Sequence, residues 1–320
     1  MSLWHGLSRR SFLTTVGATL GWGVALRGAA PSSVRRRVLR VAHLTDVHIQ
    51  PERRASEGFA KCLAHVQSQP EKPDLILFGG DNIMDSFSQT KTRTRTQWDL
   101  WQRVLKAECS LPYHACIGNH DVWGWGKNAG ASPTDQGYGK DWAVEELHLP
   151  RRYYSFEKAG WKFIVLDSTQ PSDNRHGYVG KIDDEQFEWL RAELQATARK
   201  TPILVLSHIP ILAACVFLDG NNEKSGDWVV PGSWMHLDTR KLTALFHQHG
   251  HVKACISGHA HMVDEIHYLG TTYYCNGAVC GNWWNGKYHQ FAEGYAVVDL
   301  YDDGSTSREY VLYGWDAKNS

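Results

Sequence analysis

The sequence shows no excess charge of either sign, because 34 lysines and arginines stand against 34 aspartates and glutamates. That balance excludes the basic field with which proteins grip a nucleic-acid backbone, so no nucleic-acid partner is expected. Cysteines number seven, an odd count, and none are spaced CxxC, which excludes a disulfide framework. Cys116 and Cys255 fall in apolar, strand-like runs where a thiol serves as a small hydrophobe. Cys275 and Cys280 are near enough in sequence to pair, but structural thiols are the expectation. Beyond residue 30 no stretch is long and apolar enough to span a bilayer. Internal repeats and long low-complexity segments are missing too.

Acidic residues are also missing from the N-terminus, where none precedes Asp46. There, Arg9 and Arg10 lead into an apolar stretch from Phe12 to Leu26, followed by small residues at 28–30. A basic start, a short apolar middle and a small-residue end make a secretory signal over residues 1–30. The arginine pair followed by Phe and Leu resembles the bacterial twin-arginine signal. The expected partner is therefore the twin-arginine export machinery, and the expected location is periplasmic or secreted. A retained membrane anchor is the competing reading, disfavoured because a bilayer span needs about 20 apolar residues. Without residues 1–30 the chain loses three arginines and no acid, leaving it slightly negative.

What is abundant is histidine, at 17, and tryptophan, at 14, in a 320-residue chain of otherwise globular composition. Short β-rich runs recur at 38–44, 74–78, 113–117, 161–166, 202–207 and 251–257. Between several of them lie segments with helical spacing. Phe59, Leu63 and Val66 share one face, as do Phe187, Leu190 and Leu194, and then Leu242, Leu245 and Phe246. Strand–helix alternation predicts an α/β protein with sheets covered by helices. After residue 270 the pattern turns to strands alone, with Asp303–Gly304 marking a hairpin. One domain over 38–315 with a strand-rich C-terminal part is expected, since no linker divides it. Two long loops, 121–152 and 212–236, are candidates for function.

Five clusters of metal-capable side chains follow strand ends. They are "HLTDVH" with Asp46 and His48, "FGGDN" with Asp81, "IGNHD" with Asn119, His120 and Asp121, "LSHIP" with His208, and "ISGHAH" with His259 and His261. Loops beyond strand C-termini converge on one crevice in α/β sheets, so five of them can assemble a single site. Imidazole and carboxylate together suit Fe, Mn or Zn. A carboxylate can bridge two ions, and paired ions can clamp both oxygens of an in-line phosphoryl displacement. Glycines 80, 118 and 258 precede the turns and permit close backbone geometry. An isolated D-x-H or strand-end Asp would be a turn or cap, and His208 alone a core histidine, but "GNHD" and "GHAH" are less easily dismissed and the ordered set of five is no coincidence.

The order D-x-H, G-D, G-N-H-D, H, G-H-x-H resembles the calcineurin-like metallophosphoesterase superfamily. That resemblance implies a four-layer α/β/β/α sandwich of two mixed sheets with a dinuclear centre at the strand ends. It implies that Asp46, His48, Asp81 and His261 hold one metal and that Asp81, Asn119, His208 and His259 hold the other, with Asp81 bridging. It places His120 beside the metals, as general acid or phosphate-binding group, and Asp121 is expected to orient its imidazole. The activity implied is attack of a metal-bound hydroxide on a phosphoester.

The segment 166–194, with Gly177–x–x–Gly180 ahead of a helix carrying Gln186, Trp189 and Leu190, is similar to the cyclic-nucleotide and glycerophosphodiester phosphodiesterase branch. Purple acid phosphatases share the core but place a tyrosine just after the bridging Asp, and "GDNIMDS" has none. A small phosphodiester is therefore the expected substrate, with phosphomonoester hydrolysis as the alternative and a non-catalytic metal-binding module behind it. Asp85 fits a helix cap better than an outer metal-shell residue. Trp123 and Trp125 are candidates to stack a substrate base or sugar beside Asn119 and His120, or else they pack their loop down. The Trp283–Trp284 pair and His289 could reach the pocket rim, whereas Trp98, Trp101 and Trp161 are expected in the core.

Overall fold

Alternating apolar residues over a pleated backbone bury one or both faces of each strand, and here that pattern builds two sheets. The computed structural model describes residues 35–317, so the expected export signal over 1–30 lies outside the described residues. The first half runs β1 (Arg37–Leu44), α1 (Ala55–Gln67), β2 (Leu75–Phe78), α2 (Lys91–Glu108), β3 (Tyr113–Ala115) and α3 (Asp141–Glu146). Next come β4 (Tyr154–Lys158), β5 (Trp161–Val165), the small pair β6 (Thr169–Pro171) and β7 (Tyr178–Gly180), then α4 (Asp184–Ala196) and β8 (Ile203–Leu206). The chain closes with α5 (Thr239–His249), β9 (Val252–Ser257), β10 (Asp264–Tyr268), β11 (Thr271–Cys275), β12 (Gly294–Tyr301) and β13 (Thr306–Leu312).

One sheet has the order β13-β12-β1-β2-β3 and the other β10-β11-β9-β8-β5-β4. Parallel pairing runs from β1 through β2 to the edge strand β3 in one sheet and through the central β5, β8, β9 and β11 in the other. Antiparallel strands β12, β13, β4 and β10 lie outside them, so both sheets are mixed.

The period of two sorts the second sheet between two cores. Phe163, Val165, Leu204, Leu206, Ala254 and Ile256 face the first sheet. Their neighbours Ile164, Ile203, Val205 and Cys255 pack with Leu190, Leu194, Leu242 and Phe246 of α4 and α5. On the far side of the first sheet, Phe59 and Leu63 of α1 and Trp98 and Trp101 of α2 close the main core. The layers are thus helices, sheet, sheet, helices, as expected. Trp98, Trp101 and Trp161 are all buried. The Asp303–Gly304 turn joins β12 to β13, with Gly304 at φ +81°.

Helix α2 had little sequence signal, because long polar side chains on its outer face hide the Trp98–Trp101–Leu105 stripe. Its N-cap is Thr90, whose side chain accepts from the Arg93 amide. The expected capping role for Asp85 is therefore wrong. Asp85 instead accepts from Ser88 and Gln89 within its own turn, a short-range bond an Asp forms readily. Gln186 of α4 clamps both backbone groups of Asp167 at the end of β5, so its part is structural.

Candidate metal centre

Strands β1, β2 and β3 point one way in the first sheet, and β8 and β9 do so in the second. Their C-terminal loops meet at one edge. There the five expected clusters come together, stitched by backbone bonds. Asp46 N–H donates to the Gly80 carbonyl, His48 N–H to Asp81, and Gly258 N–H to His208. Asp46, His48, Asp81, His259 and His261 all adopt positive φ, between 46° and 71°. Non-glycine residues seldom accept that left-handed region, and its concentration here marks backbone strained to aim side chains at a common point. Gly80, at φ +90°, meets the same demand without strain. Gly118 answers a different one: a Cβ there would fall 2.1 Å from Asp81 Oδ1.

The carboxylates occupy the middle. Asp46 Oδ2 accepts from the Thr45 hydroxyl (2.6 Å) and the His259 amide (2.9 Å). Its Oδ1 is fully buried without a hydrogen-bond partner, 3.4 Å from His261 Nε2 and 3.9 Å from His48 Nε2. Asp81 Oδ1 accepts from the His120 amide at 2.8 Å, and Oδ2 lies 3.6 Å from His48 Nε2 and 3.2 Å from His208 Nε2. Asp81 therefore stands between the two histidine groups, as a bridge requires.

Three of the four imidazoles are fixed by their far nitrogens, while His48 Nδ1 is buried without a hydrogen-bond partner. His208 Nδ1 bonds the Gly79 carbonyl, His261 Nδ1 that of Gly281, and His259 Nε2 that of Ser233. Each must donate there, which turns its other nitrogen into the site as a lone pair. Those inward nitrogens stand close together. His48 Nε2 and His261 Nε2 are 3.2 Å apart, as are His208 Nε2 and His259 Nδ1, and Asn119 Oδ1 is 3.1 Å from His208 Nε2. Acceptors gathered this closely need a cation among them, either protons or metal ions.

The ionisation trends agree. Burial pushes the Asp81 carboxyl up, but His208, His120 and His48 outweigh it and hold it well below the carboxylate range. Burial pulls His208 down, yet Asp81 and Asp46 raise it to about 9. His259, where burial dominates, falls to about 3. The donor set fits metal binding, with His48, Asp81, His208, His259 and His261 all falling in donor groups compact enough to hold an ion.

His120 lies beside this floor. Its ring meets His48 edge-on at 4.7 Å, and its Nδ1 donates to the Met84 carbonyl at 2.6 Å. Asp121 does not orient it, contrary to expectation. Asp121 is wholly buried and accepts from Gly118, Asn82 and Ile83 amides and the Asn82 side chain. Its carboxylate ties the Asn119–Asp121 turn to the loop after β2. Burial, together with the charge of Asp81, pushes it up to about 7.

Above the donors opens a cavity of about 220 Å³, lined in part by Asn119 and His120 as expected. Trp123 and Trp125 are not in its wall. Paired backbone bonds between Trp123 and Gly139 fold that loop back on itself, the Trp123 indole donates to the Gln89 carbonyl, and its ring packs on Trp142. Trp125 packs toward Phe87. The wall is made instead by Tyr178, Val216, Asp219, Trp234, Trp283 and Tyr288. Of these only Trp283 was anticipated by name, but Val216, Asp219 and Trp234 come from the long loop 212–236 that was expected to be functional. Its neighbour Trp284 is buried behind the site and donates to the His48 carbonyl. His289 reaches Asp219 at 3.4 Å. Cys280, also unforeseen as a donor, stands beside His48 and His261. It is not bonded to Cys275, whose thiol meets Cys215 instead.

The sequence model of the family described as calcineurin-like phosphoesterase matches residues 39–263. A probable glycerophosphodiester phosphodiesterase, GpdQ, of Arcobacter nitrofigilis is 24% identical over 70% of this chain and 72% of its own length. The 3',5'-cyclic adenosine monophosphate phosphodiesterase CpdA of Escherichia coli K12 is 23% identical over 85% of this chain and 88% of its own. Among solved structures, a dimetal phosphatase from Danio rerio superposes with a TM-score of 0.58 at 15% identity, covering 85% of this chain and 99% of that one. The purple acid phosphatase PPD1 of yellow lupin gives 0.56 at 16% identity, over 86% of this chain and 51% of its own.

Proposed function

The chain belongs to the calcineurin-like phosphoesterase family and is a metal-dependent phosphoric ester hydrolase, and on that premise we propose that it is exported and hydrolyses a small phosphodiester. In this reading Asp46, His48, Asp81 and His261 hold one transition-metal ion, from Fe, Mn or Zn. Asp81, Asn119, His208 and His259 hold the second. Such a pair supplies Lewis-acid polarisation of the phosphoryl oxygens and a lowered pKa for coordinated water.

The chain's own groups supply the remainder. His120 spends Nδ1–H on Met84, so Nε2 is the nitrogen left for the substrate. Carrying a proton, it delivers that proton to the departing alcohol oxygen. Asn119 and His120 share one short helical turn held by Asp121, which fixes proton donor and metal donor relative to each other.

The composition of the cavity wall carries the preference for a diester. No lysine or arginine is among the described residues that line it. A monoester brings two negative charges, which phosphate sites commonly meet with Arg or Lys beyond the metals. A diester brings one. The two diesterase relatives support the same choice. Hydrolysis of bis(p-nitrophenyl) phosphate should exceed that of p-nitrophenyl phosphate, and a chelator should abolish both until Mn or Zn is restored. Turnover of the monoester alone would transfer the protein to the phosphomonoesterases. Failure of both with metal bound would leave a metal-binding module.

A further inference from the structure

Two thiols lie outside the metal centre and meet each other. Cys215 opens the short 3₁₀ turn Cys215–Leu218 in the loop 212–236, and Cys275 ends β11. Their side chains are in contact within a small apolar cluster that includes Ala213, Val216, Ala260 and Met262. Asp264 holds the loop in that place. Its Oδ2 accepts from the amides of Ala214 (2.6 Å) and Cys215 (2.9 Å), and Asp264 is the antiparallel register partner of Cys275. Register partners carry their side chains on one face of a sheet, about 5 Å apart at Cβ. One carboxylate therefore sets the Cys215 backbone beside the Cys275 side chain. Among the described residues, neither thiol belongs to a group of donors compact enough to hold a metal ion.

Two thiols held face to face, with no metal to bind, are placed for cross-linking. Disulfides form and persist in oxidising compartments, and the export reading puts the chain in one. We propose that Cys215 and Cys275 close a disulfide there, clamping the loop 212–236 to β11. The proposal takes its compartment from the export reading and its geometry from the fold. Cys215 attacks first, since it is 7% exposed against 1% for Cys275. It also stands on an irregular loop, the kind of segment that opens locally at low cost. Its thiolate displaces one sulfur of a disulfide-bearing oxidant and forms a mixed disulfide. The Cys275 thiolate then displaces the remaining sulfur of the oxidant from Cys215. The protein pair is oxidised, and the oxidant leaves as two thiols that carry the two protons. The bridge touches both halves of the site. Val216 and Asp219 of the cavity wall follow Cys215, and β11 pairs with β9, which leads into His259 and His261. One clamp of this kind is not the framework that an odd cysteine count excludes.

The purified, metal-loaded protein carries the test, first reduced and then incubated with oxidised glutathione. A digest made without reductant should contain the Cys215 and Cys275 peptides joined, lighter by two hydrogens than the separate pair. The bridge closes a loop of about 60 residues, so the urea midpoint should rise by about 1 M over that of the reduced protein. Cys275→Ala should stop at the mixed disulfide, with one glutathione on Cys215. Cys215→Ala should give no joined peptide, and neither variant should gain the midpoint shift. Free thiols at both positions in the oxidised, unaltered protein, or a link from either one to another cysteine, overturns the proposal. Joined peptides in a chain that stays in the cytoplasm would overturn the export reading alone. Free thiols in a chain delivered to the periplasm would overturn the bridge alone.

Discussion

A single hydrogen bond decides what His120 can do. With Nδ1 committed to the Met84 carbonyl, only Nε2 is left to face the cavity, and the ring stands near His48 and Asp81. That position allows two roles, proton donor or additional metal donor. His120→Ala separates them: kcat should fall by about 10²–10⁴, the usual span for a lost general acid, while metal content by mass spectrometry stays level. Loss of a metal ion from the variant would make His120 a ligand instead. The seven expected donor residues were legible because each sits within a few residues of an apolar strand end, where a turn exposes it. Asp121 was misread because spacing shows that two side chains are neighbours and not which way they point. Its buried oxygens are consumed by four amide donors of the adjoining loops.

The elements hold that geometry through packing behind the loops. In α1, Gly58 is the contact point. An alanine normally favours a helix over glycine by about 1 kcal/mol. Here the added Cβ would lie 2.1 Å from Trp284 Cζ3, and Trp284 is a fully buried ring bonded to the His48 carbonyl. Gly58→Ala should therefore destabilise by about 1–3 kcal/mol in urea unfolding, the cost of overpacking, and weaken metal retention through His48. A gain in stability would show that Trp284 yields without disturbing the loop. The buried strands were anticipated, since runs such as β2 and β8 are wholly apolar, whereas β4, β6, β7 and β10, short or polar, were not. Helix α2 was not, because the two tryptophans it buries are diluted by charged residues facing solvent. The loop carrying Trp123 and Trp125 looked like a substrate platform for a related reason: aromatics at a site and aromatics under a loop read alike until their neighbours are known.

For the whole molecule, the export reading is the part that tertiary structure does not touch, and it rests on Arg9, Arg10 and the apolar stretch behind them. Replacing both arginines by lysine should leave the product in the cytoplasmic fraction of a bacterium that otherwise delivers it to the periplasm. Cytoplasmic retention of the unaltered chain would sink the proposal. The two-sheet architecture follows from the alternation of strands and helices and from the strand-only tail. The sorting of Phe163, Val165 and their neighbours to opposite cores needed only a period of two. By itself, then, the sequence determined the layers and the metal chemistry, because a strand, a turn and its donor are encoded within a few consecutive residues. Only the tertiary structure decided the cavity wall. Tyr178, Asp219, Trp234, Trp283 and Tyr288 come from segments far apart in the chain, and long loops place side chains by packing, which no local pattern records.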